Sequence, residues 1–156
     1  MAACVKQVRY FALRWLFMLM GSYQHNIDPK GRVIMPAKFR EELGEVFYAT
    51  KGTDESLTVL SAQAWEELGR KICSLPSAQT KDLKRFLFSS AAELVPDKQG
   101  RVLIPQVLRD YAHLQKDVTI IGTGSRVEIW DTERWNQYNS EISETQVLEI
   151  MNLYEI

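Results

Sequence analysis

The chain contains one short element twice, first as Asp28-Pro29-Lys30-Gly31-Arg32-Val33-Ile34-Met35-Pro36 and again as Asp97-Lys98-Gln99-Gly100-Arg101-Val102-Leu103-Ile104-Pro105. The match continues beyond the element, because Arg40 and Arg109 hold the same place after it in the two copies. The repeat therefore spans a folding unit. A unit of about 60 to 70 residues buries little of its own surface, so we expect the copies to share one core as a pseudo-dimer within the chain.

The start of each element predicts a tight turn. Asp28-Pro29-Lys30-Gly31 has Asp, Pro and Gly at the first, second and fourth positions of a type I turn, and Asp97-Lys98-Gln99-Gly100 has the same chemistry without Pro. Such a turn followed by Gly commonly closes a hairpin. We therefore expect a hairpin in each copy; in the first, it joins a strand over residues 23–27 to a return over residues 32–35.

Helices and further strand pairs are predicted to follow each turn. Pro36 and Pro105 are typical of first-turn positions in short helices. Ser61 and Asp131 are good helix caps after the strand pairs. An additional helix is predicted over about residues 77–89, between the two copies.

The charge is close to balanced overall but unevenly distributed. The net charge is −1 with a pI near 6.1, which by itself would argue against nucleic-acid binding. However, residues 28–40 carry four basic and one acidic side chain, and residues 97–109 carry three basic and one acidic. Residues 128–156 carry seven acidic side chains against one arginine. The positive charge thus lies on the duplicated element.

Cysteine and histidine are too sparse for a metal site or a disulfide framework. Cys4 and Cys73 are far apart, and His25 and His113 lie in no ligand cluster. We expect no metal, no cofactor and a reducing, cytoplasmic location. The apolar run over residues 15–20 is too short to span a membrane, so we expect no membrane as partner. We also expect no small-molecule substrate.

Asp28 and Asp97 are expected to build the turns, because Asp at this position accepts hydrogen bonds from the backbone ahead of it. Arg32 and Arg101 admit two interpretations. Each could form a structural ion pair with the aspartate four residues earlier, or that pair could hold the guanidinium for a phosphate or a guanine edge. Duplication favours the second interpretation, because a turn does not require arginine.

The remaining basic side chains on the element are candidates for phosphate contacts, which position a protein on DNA without reading its sequence. These candidates are Lys30, Lys98, Lys38, Arg40 and Arg109. Two aspartates from two copies also suggest a paired-carboxylate hydrolase. That alternative is disfavoured because each Asp has a nearby basic residue that favours its charged form, and the chain contains no other catalytic motif that we recognise.

On the doubled Asp-x-x-x-Arg-x-x-x-Pro pattern, and on Tyr23-Gln24-His25 before it, the chain resembles the MraZ family of bacterial regulators with two AbrB-like repeats over about residues 18–150. The resemblance implies an α+β, mainly β fold: a pseudo-twofold swapped-hairpin β-barrel with short flanking helices, assembled into rings. It also implies a nucleoid-associated transcription factor, not an enzyme, that binds direct repeats in double-stranded DNA upstream of the division and cell-wall gene cluster containing its own gene.

Carried over by position, the DNA-facing residues that the resemblance implies are Asp28, Lys30, Arg32, Asp97, Lys98 and Arg101. The second copy departs from the first, because Gln99 stands in the place of Lys30 and Lys98 in that of Pro29. We therefore expect unequal contributions from the two turns. The competing hypothesis is a structural or protein-interaction ring whose arginines form salt bridges between subunits.

The repeat suggests a division of the chain into five parts. Residues 1–20 are an N-terminal extension, with translation beginning at Met18 or Met20; an amphipathic helix is the alternative for this segment. Residues 22–66 and 92–136 are the two repeats, residues 67–91 the connecting helices, and residues 137–156 a C-terminal helix.

Overall fold

The computed structural model describes residues 18–156, in which two runs of elements follow the same order. The interpretations of the N-terminal extension concern residues that lie largely outside this range. The first run is β1 (Leu19–Asn26), β2 (Arg32–Ile34), α1 (Ala37–Leu43), β3 (Phe47–Lys51), β4 (Leu57–Ser61) and α2 (Ala62–Cys73). After α3 (Ser77–Phe88), the second run is β5 (Ala92–Leu94), β6 (Arg101–Leu103), α4 (Gln106–Tyr111), β7 (Asp117–Gly124), β8 (Val127–Asp131) and α5 (Thr132–Ser140), and α6 (Glu144–Leu153) ends the chain.

The two runs exchange strands within one antiparallel sheet. The sheet order is β1-β7-β8-β4-β3-β5, so β1 from the first run pairs with β7 from the second. In return, β5 from the second run pairs with β3 from the first. Neither run could form this sheet alone. The α+β class and the swapped arrangement of the two copies are therefore confirmed.

A pseudo-twofold axis passes between equivalent residues at two places. In the small β2–β6 ribbon, Val33 lies directly opposite Val102, its counterpart in the second element. In the middle of the large sheet, Thr58 of β4 lies opposite Glu128 of β8. The ribbon and the sheet centre thus share one symmetry.

Two details of the predicted fold are wrong. Residues 23–27 and 32–35 do not pair with each other; β1 pairs with β7, and β2 pairs with β6 of the other copy. Nor do the described strands close into a barrel, since β1 and β5 remain the two edges of an open sheet and the ribbon stands apart from it. Pro36 and Pro105 limit the ribbon to short strands, because proline cannot donate to a longer ladder.

The inner face of the ribbon is anchored in the core. Val33 and Val102 are each 1% exposed and belong to the same buried cluster as Phe47 of β3 and Ile129 of β8. Burying such a side chain stabilises the fold by about 1.5 to 3 kcal/mol. The ribbon is consequently held at a fixed position, with its outer face free.

The predicted helix starts are confirmed by their capping bonds. Ser61 Oγ accepts a hydrogen bond from the amide of Ala64 at 3.2 Å, and Asp131 Oδ2 accepts one from the amide of Arg134 at 3.1 Å. These bonds satisfy amides that have no partner within the helix. Between residues 18 and 156, no helix combines the length and the apolar character needed to cross a membrane.

Candidate nucleic-acid interface

Asp28 organises the first turn through three hydrogen bonds. Its Oδ1 accepts from the amides of Lys30 and Arg32, both at 2.9 Å, and its Oδ2 accepts from Arg32 Nε at 2.7 Å. The turn is closed by the amide of Gly31, which donates to the Asp28 carbonyl at 2.9 Å. Both roles considered for this aspartate, turn former and ion-pair partner, are therefore present together.

The second turn repeats this geometry. Asp97 Oδ1 accepts from the amides of Gln99 and Arg101, both at 2.9 Å, and Oδ2 accepts from Arg101 Nε at 2.8 Å. Replacing Pro-Lys by Lys-Gln in the middle of the turn leaves the aspartate–arginine arrangement unchanged. The difference between the copies is thus the placement of a lysine, not the shape of the turn.

These bonds hold both aspartates in the charged form. The pKa of Asp28 is lowered, first by the hydrogen bond from the Arg32 amide and further by the Arg32 side chain. The pKa of Asp97 is lowered in the same way by Arg101. A proton-sharing carboxylate pair needs one member with a raised pKa. The lowered pKa values therefore give no support to a paired-aspartate hydrolase.

The aspartates hold only one edge of each arginine. Arg32 and Arg101 use Nε for the ion pair, and their Nη nitrogens make no hydrogen bond to any described residue. Both side chains are 31% exposed. Each guanidinium is thus fixed in direction while its terminal N–H groups stay available, which is the arrangement that bidentate binding of a phosphate or a guanine edge requires.

The antiparallel register brings the two arginines together on the outer face of the ribbon. Arg32 lies opposite Leu103, and Arg101 lies opposite Ile34. Arg32 and Arg101 are therefore diagonal neighbours, a relationship that separates residues by about 7 to 8 Å. The sequence analysis did not predict that the two arginines lie side by side, or that Ile34 and Leu103 lie on the same face. Side chains alternate between the two faces of a strand, so the order of residues 32–35 and 101–104 could have indicated which of them share a face.

Lys30 and Lys98 are exposed at the tips of the turns, and Lys38 is exposed on α1. Arg40 and Arg109 are placed differently. Arg40 Nε donates to the Met35 carbonyl at 3.0 Å, and Arg109 Nε donates to the Ile104 carbonyl at 2.9 Å. These two arginines therefore have a structural role that the sequence did not predict.

Each of these arginines also reaches the turn of the other copy. A Cβ atom on Gly100 would lie 2.8 Å from Arg40 Cζ, and one on Gly31 would lie 2.6 Å from Arg109 Cζ. The guanidinium groups thus lie against bare glycine α-carbons.

Within residues 18–156, no group of His, Cys, Asp and Glu side chains is suited to hold a metal ion.

Comparison with known proteins shows which family the chain matches. The model of the family described as MraZ protein matches residues 18–86 and again residues 87–151. The protein named Transcriptional regulator MraZ of Heliobacterium modesticaldum is 54% identical over 126 residues, covering 80% of this chain and 88% of its own length. Its namesake in Acetivibrio thermocellus is 53% identical over 127 residues, with the same coverage of both chains.

A third protein of that name, from Thermoanaerobacter sp., is 50% identical over 137 residues, covering 85% of this chain and 95% of its own. A solution structure from Pyrococcus horikoshii covers 71% of this chain and 87% of its own at 17% identity, with a TM-score of 0.30. That structural similarity is too low to carry an argument.

Proposed function

Because the chain belongs to the MraZ family, whose members are named as transcriptional regulators and not as enzymes, we propose that it is a sequence-specific regulator that binds double-stranded DNA through the β2–β6 ribbon and its two turns. One observation carries the proposal. Arg32 and Arg101 are each fixed by an aspartate on one edge and left free on the other, on a surface that the core holds in place.

The ribbon is of a size that suits the major groove, which admits a two-stranded β-ribbon. In this position Arg32 and Arg101 meet guanine edges or phosphates, and Asp28 and Asp97 set their direction. Lys30, Lys98 and Lys38 contact the phosphates, together with the free ends of Arg40 and Arg109. Since Lys30 and Lys98 stand at different places in their turns, the two turns contribute unequally.

The proposal extends to assembly and targets. We propose that several copies form a ring that engages direct repeats upstream of the chain's own division and cell-wall gene cluster, in the cytoplasm and associated with the nucleoid. Exposed apolar side chains on and after α6 support self-association, among them Leu148 at 58% and Leu153 at 73% exposure. Several subunits on several repeats raise the effective concentration of each later contact.

A footprint tests this proposal directly. The purified full chain is incubated with a duplex from the region upstream of its own gene, with a shuffled duplex of the same composition as the control. We expect protection at regularly spaced sites in the first duplex at concentrations that leave the shuffled one unprotected. Equal protection of both duplexes would contradict sequence-specific binding. Native mass spectrometry of the free protein measures the number of subunits in the ring.

The second candidate is a structural or protein-interaction ring without DNA binding. The same exposed apolar residues favour it, as does the acidic C-terminal stretch, which would repel DNA. This function predicts that arginines at a subunit border hold the ring together. An Arg32→Ala, Arg101→Ala double variant would then dissociate on size-exclusion chromatography, whereas under the DNA-binding proposal it elutes like the wild type.

A further inference from the structure

The outer face of the ribbon carries two aliphatic side chains that the fold does not use. Ile34 is 40% exposed and Leu103 is 57% exposed, while Val33 and Val102 on the inner face are each 1% exposed. Among the described residues, no hydrophobic cluster includes the outward pair. Each lies two residues beyond an arginine on its strand, so the face alternates arginine and aliphatic side chain in both directions.

Resting on the proposed DNA binding, we infer that Ile34 and Leu103 contact the C5-methyl groups of thymines in the major groove and so contribute to sequence preference. The methyl group is an apolar feature that thymine alone among the four bases presents there. An exposed aliphatic side chain that covers this methyl group removes apolar surface from water, which favours binding. The arginines beside it hold the ribbon in the groove by charge.

The spacing of the ribbon fits this role. Residues two apart on a strand are separated by about 6.8 Å, and successive base pairs along one DNA strand by about 3.4 Å. Arg32 and Ile34 therefore address positions two base pairs apart. The antiparallel partner presents the same pair, Arg101 and Leu103, in the opposite direction.

The chemistry of the face narrows what it can read. The polar groups beside the aliphatic pair are the guanidinium donors of Arg32 and Arg101, while each aspartate already accepts three hydrogen bonds within its own turn. Donors fit the acceptors of guanine and the O4 atom of thymine, and aliphatic groups fit the thymine methyl.

The test compares two versions of the upstream duplex, made by amplification with either dTTP or dUTP. Uracil differs from thymine only by lacking the methyl group. We expect wild-type protein to bind the uracil duplex about four times more weakly for each methyl contacted, the equivalent of one buried carbon. Equal binding of both duplexes would overturn the inference and leave the proposed function standing, whereas binding of neither would overturn both.

Variants assign the effect to the two residues. The Ile34→Ala, Leu103→Ala double variant should bind the thymine duplex more weakly than wild type and lose the difference between duplexes. Val107→Ala is the matched control, because Val107 is 50% exposed but lies on α4; it should retain the wild-type difference. A double variant that still prefers thymine, or that changes oligomer mass on size-exclusion chromatography, would overturn the assignment. The comparison of the thymine and uracil duplexes uses wild-type protein alone, so it does not depend on whether a variant folds.

Discussion

The guanidinium of Arg109 lies against the α-carbon of Gly31, although the two residues belong to different copies of the turn element. Arg40 and Gly100 form the reciprocal contact. Both glycines also have positive φ, +85° and +79° respectively, which side-chain-bearing residues rarely adopt. Each turn thus requires glycine for its own backbone and for an arginine that crosses from the other copy.

Gly31→Ala should destabilise the protein. The backbone conformation alone costs alanine about 1 to 3 kcal/mol, and a Cβ at 2.6 Å from Arg109 Cζ displaces that side chain as well. The measurement is the free energy of unfolding in urea at pH 7. Gly69→Ala is the control, because Gly69 lies within α2 with nothing near its added Cβ; it should stabilise by about 0.5 to 1 kcal/mol.

A double-mutant cycle isolates the contact itself. If Arg109 packs on Gly31, the cost of Gly31→Ala should be smaller in an Arg109→Ala background, because the displaced group is already gone. Additive costs would show that residue 31 and the Arg109 side chain do not interact. The same unfolding measurement serves for all four proteins.

Arg109, which bonds to a backbone carbonyl, should contribute more to stability than Arg32, which bonds only to the aspartate of its own turn. Arg109→Ala removes a charged hydrogen bond to the Ile104 carbonyl, and we expect a loss of about 1 to 2 kcal/mol, at the lower end for such bonds because the side chain is partly exposed. Arg32→Ala removes a surface ion pair, for which about 0 to 1 kcal/mol is expected. A greater loss of unfolding free energy for Arg32→Ala would reverse the assignment of the two roles.

Asp28 and Asp97 should make the free energy of unfolding fall as the solution becomes acidic. Since the pKa values of Asp28 and Asp97 lie below the ordinary 3.8 in the folded protein, their contribution is complete above that value and is lost as the pH falls through the lower folded pKa. The Asp28→Asn, Asp97→Asn double variant should therefore lose less stability than wild type between pH 5 and pH 2. Parallel curves of unfolding free energy against pH would contradict this account.

Features set by residues close together in the sequence were predictable, and features set by residues far apart in the sequence were not. The turns and the caps at Ser61 and Asp131 were predictable, because the residues that decide them lie within four positions of one another. The partner of β2 was not, because two similar copies offer the same local chemistry and only the shared core selects between them. Arg40 and Arg109 looked like surface charges for the same reason: the glycines they cover are distant in sequence.

The lysines at the turn tips should act through phosphates. Lys30→Ala and Lys98→Ala should each reduce the slope of log affinity against log salt by about one, with a uniform loss across DNA sequences. Lys81→Ala on α3, outside the duplicated element, is the control and should leave the slope unchanged. A change of base preference without a change of slope would instead place these lysines on base edges.

The most direct test of the central claim is the affinity of the Arg32→Ala, Arg101→Ala double variant for a duplex from the chain's own upstream region, measured by mobility shift beside wild type. Two bidentate contacts of about 1 to 3 kcal/mol each predict a loss of about 30-fold or more, in a variant that remains folded. A folded double variant that binds this DNA within twofold of wild type would contradict the claim that the paired turns form the DNA-binding surface.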